Sequence, residues 1–177
     1  MLRALYIGRF QPLHMGHVKA IEHIMRNVDE LVIVIGSAQK SHTLDNPFTA
    51  GERIMMVRAA LRDLCIDPLK YYLIPIADAL MHSIWVSKVI AYSPPVNMAY
   101  SNEPLTSRLF KEAGIKVEKI PLIHRKVYSA TEARRRMMAG SNWRELLPQG
   151  VIEIIDEIEG LERLQELALV DTYKCKI

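Results

Sequence analysis

Two apolar periodicities alternate along the chain. Leu2 to Ile7 reads as a strand, and Glu30 to Ile35 is a near-continuous apolar run of the kind that fills a central parallel strand covered on both faces. Between them Val18, Ile21, Ile24, Met25 and Val28 fall at helical spacing and predict a helix over Met15 to Val28. The alternation continues. Thr49-Ala50-Gly51-Glu52 has capping-box spacing and should open a helix through Leu64. Strands are expected at Tyr71 to Ile76, Val96 to Tyr100 and Lys116 to Ile120. Helices are expected at Ser83 to Ala91, at Leu105 to Ala113 with Gly114 as its stop, and from the second capping box Ser129-Ala130-Thr131-Glu132 through Met138. Strand–helix alternation of this kind predicts an α/β fold with an open parallel sheet and helices on both faces. From Asn142 onward the pattern is helical only, broken at Pro148 and Gly160. Ile154, Ile155, Ile158, Leu161 and Leu164 should pack these last helices back on the domain.

The 177 residues contain no linker, repeat or low-complexity stretch. One domain over 1–177 is expected, with a sheet-forming core to about residue 140 and a helical C-terminal part beyond it. Half the residues are apolar and 24% are charged, an ordinary globular balance. No apolar run is long enough to span a bilayer, and Met1 to Gly8 lacks signal-peptide architecture. A cytoplasmic protein without a membrane partner is the expectation. The net charge of +3 suits small anionic substrates and is too weak to argue for nucleic acid. Cys65 and Cys175 have neither metal-ligand spacing nor a disulfide framework, and Cys65 reads as a small buried apolar group.

Candidate chemistry begins where the first strand ends. Gly8-Arg9-Phe10-Gln11-Pro12-Leu13-His14-Met15-Gly16-His17 joins that strand to the first helix. Ligands of open parallel sheets bind beyond the carboxyl ends of strands, and a helix N-terminus there offers N–H groups to a phosphate. His14 and His17 share a face of the first turn, and two imidazoles can donate to phosphate oxygens. Gly16 leaves its backbone open to a ribose or base. The segment is neither a P-loop nor a G-x-G-x-x-G dinucleotide loop. Near the other end, Ser129 to Arg134 forms a capped helix start with Ser and Thr hydroxyls and a cation one turn in, again a phosphate-type site. Arg134 lies on the face of Thr131. Arg135 and Arg136 turn away from it and read as solvated or intersubunit charges.

The first motif resembles the H-x-G-H signature of the nucleotidylyltransferase superfamily, whose fold is Rossmann-like, and the second resembles its S-x-T-x-x-R motif for ATP phosphates. With Gly36 to Thr43, Asn46 to Arg53, Pro75 to Asp78, Ser83 to Val86 and Ser101 to Leu105, nearly the whole chain is similar to the archaeal-type nicotinamide-nucleotide adenylyltransferases. That resemblance implies an enzyme joining nicotinamide mononucleotide (NMN) to the AMP part of ATP, with NAD and pyrophosphate as products. It implies ATP binding by Gly8, Arg9, Phe10, His14, Gly16, His17, Ser129, Thr131 and Arg134, of which His17, His14 and Arg134 act in catalysis. It implies nicotinamide-nucleotide binding by Gly36, Ser37, Asp78, His82 and Trp85. Mg²⁺ is expected to arrive with ATP rather than on protein carboxylates, and a homo-oligomer, possibly a hexamer in that family, is implied as well. Trp85 could stack on a cationic pyridine ring, although a lone Trp is more often a core residue. Two positions depart from the family pattern: His82 and Glu103 stand where Asn is usual. A carboxylate near the ring would favour nicotinamide over nicotinate. The alternatives are another H-x-G-H enzyme, such as a pantetheine-phosphate adenylyltransferase, or a non-catalytic nucleotide sensor.

Overall fold

The computed structural model describes residues 1–121 and 127–174, so Cys175 lies outside the described residues. The chain divides into two compact units, each built from separate segments. The first comprises Met1–Arg9, Lys19–Gln39 and the chain from Ile66 through the last strand; the second comprises Phe10–Val18, Lys40–Cys65 and the C-terminal helices.

The first unit carries the sheet. Its strands are β1 (Arg3–Gly8), β2 (Glu30–Ile35), β3 (Tyr71–Pro75), β4 (Met98–Tyr100) and β5 (Lys116–Glu118). All pair in parallel, in the order β3-β2-β1-β4-β5. The expected α/β class and open parallel sheet are therefore observed. Leu31 to Ile35 are all fully buried, as the unbroken apolar run requires of a strand one removed from the edge. Strand alternation sends Val32 and Val34 to one face, where they join Leu5, Ala99, Phe110, Val86 and Val89 in a single core. Val86 and Val89 belong to α3 (His82–Tyr92) and Phe110 to α4 (Pro104–Glu112). Each of the Val, Leu and Phe side chains contributes about 1.5–3 kcal/mol by leaving water. The chain steps outward from β1 to β2 to β3, then returns to the other side of β1 at β4. That reversal is the topological switch point where open α/β sheets bind ligands.

The second unit is helical. Helix α1 (Met15–Met25) begins in it and ends in the first, shorter at its C-terminus than the periodicity suggested. Its other helices are α2 (Ala50–Asp63), α5 (Ala130–Met138), α6 (Gln149–Glu157) and α7 (Gly160–Lys174). The capping box of α2 is complete: Thr49 accepts from the Glu52 N–H, and Glu52 accepts from the Thr49 N–H at 2.8 Å. That of α5 is only half formed. Ser129 accepts from the Glu132 N–H, but the Glu132 carboxylate turns to Arg135 and Arg136 at 2.7–2.8 Å. Two guanidiniums outcompete one amide, and they hold that carboxyl down to about 2. Arg135 and Arg136 are thus paired within their own helix. Cys65 is exposed, contrary to expectation: it follows the end of α2 with φ 54°, and its N–H turns back to the Arg62 carbonyl.

The C-terminal helices pack on α2. Gly150 of α6 donates its N–H to Asp63 at 3.0 Å, and a Cβ there would lie 2.9 Å from Ala59. Arg163 of α7 grips Glu52 with two bonds of 2.8 Å. Gly160 abuts Phe48, whose ring carbon would lie 2.8 Å from an added Cβ. Gly160→Ala gains up to about 1 kcal/mol of helix propensity and incurs about 1–3 kcal/mol of overpacking against a fully buried ring. The expected outcome is a lower unfolding midpoint in urea; a midpoint at or above the parent's would refute the tight contact.

Candidate active site

The first motif from Phe10 onward and the whole of the second fall in the second unit, and there they meet. The loop leaving β1 turns at Phe10, a buried ring on a left-handed backbone with φ 51°. Such a conformation costs a non-glycine residue roughly 1 kcal/mol, which burial of the ring offsets. Gln11 is 1% exposed, and both ends of its side-chain amide are bonded. Its Nε2 donates to the Phe48 carbonyl at 2.8 Å and its Oε1 accepts the Phe48 N–H at 3.0 Å. The Gln11 main-chain oxygen accepts from Arg134 Nη1 at 2.8 Å. Arg134, on the first turns of α5, is buried; its Nη2 donates to Asp45 Oδ1 at 3.0 Å, and Asp45 is exposed. Gly16 stands close to Tyr128, the residue before the Ser129 cap. A Cβ at Gly16 would lie 3.2 Å from the Tyr128 Cβ and 3.0 Å from the His14 ring. The start of α1 and the start of α5 are therefore neighbours. An added side chain at Gly16 would crowd both of these neighbours. Thr131 is exposed on the first turn of α5.

The two histidines are stacked, with ring centroids 3.7 Å apart, and Phe10 leans on His17 at 4.7 Å. The His17 N–H and Val18 N–H both reach the His14 carbonyl, closing the first turn. Backbone N–H groups can only donate, so the ring nitrogens they meet must accept. Gly16 N–H points at His14 Nδ1 (3.1 Å) and His14 N–H at His17 Nδ1 (3.2 Å). Each neutral ring therefore carries its proton on Nε2 and is a donor through that atom. Burial pushes His14 down to about 4 and His17 well below its ordinary range, the latter also by the neighbouring His14 charge. Both are neutral at physiological pH.

This has a consequence for stability. The unfolded histidine takes up its proton near 6.5 and the folded one only near 4. Stability from His14 is therefore intact above about pH 6.5 and is lost as pH falls toward 4, by about 2 kcal/mol between 6.5 and 5. His14→Asn keeps an acceptor for the Gly16 N–H and does not titrate. Its unfolding midpoint should fall less than the parent's between pH 7 and 5; identical slopes would show that His14 is not held neutral.

The remaining candidates lie in the first unit. Gly8 ends β1, and its carbonyl accepts the Gly36 N–H at 2.9 Å; Arg9 follows, exposed. Ser37, buried and at φ 48°, donates to Asp78 Oδ1 at 2.9 Å. Gln39, to which the sequence assigned no role, also binds Asp78. Trp85 is half-buried, edge-on to Phe110 with centroids 6.0 Å apart, and packs against the sheet core. That is the common fate of a lone Trp. His82 is the first residue of α3 and exposed. Glu103 caps α4, accepting from the N–H groups of Leu105 and Thr106, so its carboxylate has a structural task. Sequence reasoning also passed over Gln11, although it stands inside the first motif, and Asp45, which nothing local marks.

Comparison with known proteins follows the same lines. The model of the Cytidylyltransferase-like family matches residues 5–136. A nicotinamide-nucleotide adenylyltransferase of Methanolobus tindarius is 52% identical over 171 residues, 97% of each chain. That of Methanosarcina barkeri is 51% identical over the same share. That of Archaeoglobus fulgidus is 47% identical over 94% of this chain and 98% of its own. Among solved structures, a bifunctional NMN adenylyltransferase/ADP ribose pyrophosphatase of Francisella tularensis, complexed with AMP and a manganese ion, superposes with a TM-score of 0.81 over 99% of this chain at 22% identity. This chain spans 54% of that one, and the likeness speaks for the fold.

Proposed function

The chain belongs to the Cytidylyltransferase-like family, and we propose that within it this protein is a nicotinamide-nucleotide adenylyltransferase, converting ATP and NMN to NAD and pyrophosphate. Relatives about half identical over nearly their whole length carry that activity in their names. They leave the pantetheine-type and sensor alternatives without support. The observation that carries the reading is the bond from Arg134 Nη1 to the Gln11 carbonyl, which ties the two phosphate-type motifs together.

The NMN 5′-phosphate attacks the ATP α-phosphorus, and pyrophosphate leaves in line. The substrate supplies the nucleophile, so the protein's contribution is positioning and charge stabilisation. His17 serves the α-phosphate as charge builds in the transition state, and His14 the neighbouring phosphates. Neutral Nε2–H donors with fixed tautomers suit this work, because they need no reorientation as the reaction proceeds. Arg134 holds the departing pyrophosphate, with Nη2 exchanging Asp45 for a phosphate oxygen. Arg9 supplies further positive charge; Ser129 and Thr131 present the α5 N-terminus to phosphate. Asp78 accepts from a hydroxyl of the mononucleotide, with Gly36, Ser37, His82 and Trp85 beside it as ring and ribose contacts. Mg²⁺ would come with ATP as part of that substrate and would offset phosphate charge, with no protein carboxylate assigned to hold it. The reading is of a cytoplasmic homo-oligomer acting on small molecules.

The test offers ATP with nicotinamide mononucleotide, nicotinate mononucleotide and phosphopantetheine separately, and follows pyrophosphate release. Release with the first, accompanied by NAD, is expected. Release with phosphopantetheine alone would overturn the reading.

A further inference from the structure

Asp78 is exposed and lies on a stretch without regular structure between β3 and α3. A carboxylate on such a segment samples many orientations unless something holds it. Here two residues from the loop after β2 do so. Ser37 Oγ donates to Oδ1 at 2.9 Å, and Gln39 Nε2 donates to Oδ2 at 3.0 Å. Gln39 goes further, because its Oε1 accepts the main-chain N–H of Asp78 at 3.0 Å. One amide thus grips both the backbone and the carboxylate of the same residue. The grip continues the strand pairing: the Ile76 N–H reaches the Ile35 carbonyl and the Ala38 N–H the Ile76 carbonyl, and Lys88 Nζ holds the Ala77 carbonyl at 2.8 Å. Each carboxylate oxygen has its own donor, so the plane of the carboxylate is fixed.

We infer that Gln39 is a positioning residue for mononucleotide binding: by holding Asp78 through backbone and side chain together, it sets the direction in which that carboxylate accepts from a sugar hydroxyl. The inference rests on the reading of Asp78 as a contact of the mononucleotide. Glutamine suits the task because it donates and accepts from one planar group. Alanine loses both bonds. Glutamate keeps the acceptor for the Asp78 N–H but faces Oδ2 with a second carboxylate. Two carboxylates so close share a proton, which raises the pKa of one of them. Once protonated, the introduced carboxyl would donate to Oδ2 as the amide does.

The test uses the full chain. Gln39→Ala should raise KM for NMN about tenfold, the loss expected of one to two hydrogen bonds, with kcat and KM for ATP little changed. In an Asp78→Ala background the same change should add nothing further. Gln39→Glu should be impaired at pH 8 and recover toward the parent's KM at pH 5.5, a profile that loss of packing does not produce. Equilibrium dialysis of NMN provides a readout independent of turnover. A parent that binds NMN with a Gln39→Ala variant of equal affinity would overturn the inference, as would a Gln39→Glu variant with no pH-dependent recovery. A parent that forms no NAD would instead overturn the function proposed above, and dialysis would still report on Gln39.

Discussion

Replacing His17 with alanine is expected to lower kcat by about 10²–10³ while KM for ATP changes by less than about threefold. The reason lies in which atom does which job. His17 Nδ1 accepts the His14 N–H and belongs to the architecture of the first turn. Its Nε2–H is the donor assigned to the α-phosphate, where charge accumulates only as the pyrophosphate bond breaks. Two further variants separate these jobs. An asparagine oxygen can reach the Nδ1 position, so His17→Asn preserves the turn and loses the donor. A glutamine amide reaches the Nε2 position, so His17→Gln retains a donor. The expected order in kcat is parent, then Gln, then Asn and Ala together. Steady-state kinetics decides it: a large rise in KM with unchanged kcat would assign His17 to ground-state binding and remove it from the transition state.

Arg134→Lys keeps the charge and should nonetheless lower kcat/KM for ATP by about 10–10². A guanidinium is a rigid fork. In Arg134 one prong is committed to the Gln11 carbonyl and the other faces Asp45, the place assigned to a phosphate oxygen. An ammonium is a single point and cannot serve both positions at once. If lysine reaches the Gln11 carbonyl, the anion loses its partner. If it reaches the anion, a buried carbonyl is left without a donor, at about 1–3 kcal/mol. The second branch also predicts a lower unfolding midpoint, so calorimetry alongside kinetics shows which partner the lysine chose. Unaltered kcat/KM for ATP would mean that only net charge matters at this position.

The sequence was most informative where structure is set by neighbours along the chain. The buried run of β2, the capping box of α2 and the helix stop at Gly114, which has φ 76°, all follow from residues a few positions apart. The second capping box misled because Glu132 had nearer and stronger partners in Arg135 and Arg136. Cys65 misled because chain geometry after a helix, not side-chain polarity, decided its exposure. The site was legible as residue types and illegible as connections. Arg134 and Gln11 are 123 positions apart, Ser37 and Asp78 41, and Gln11 and Phe48 37. No local pattern encodes such pairings. The left-handed backbone at Phe10 and Ser37 was equally hidden, since neither residue is a glycine and tertiary packing imposes the conformation.

The union of α7 with Phe48 bears on where this protein can be divided. Every residue given a role in phosphate handling lies before position 137, and the family match ends at 136. Yet Phe48, whose backbone anchors Gln11, has its ring wedged against Gly160 and is flanked by the grip of Arg163 on Glu52 and on the Pro47 carbonyl. The described residues of the last helices are assigned no part in the chemistry, and they serve as a buttress for it. Excising the motif-bearing segment as a minimal catalytic module would carry away every group assigned to the reaction and leave behind the masonry that keeps them in register.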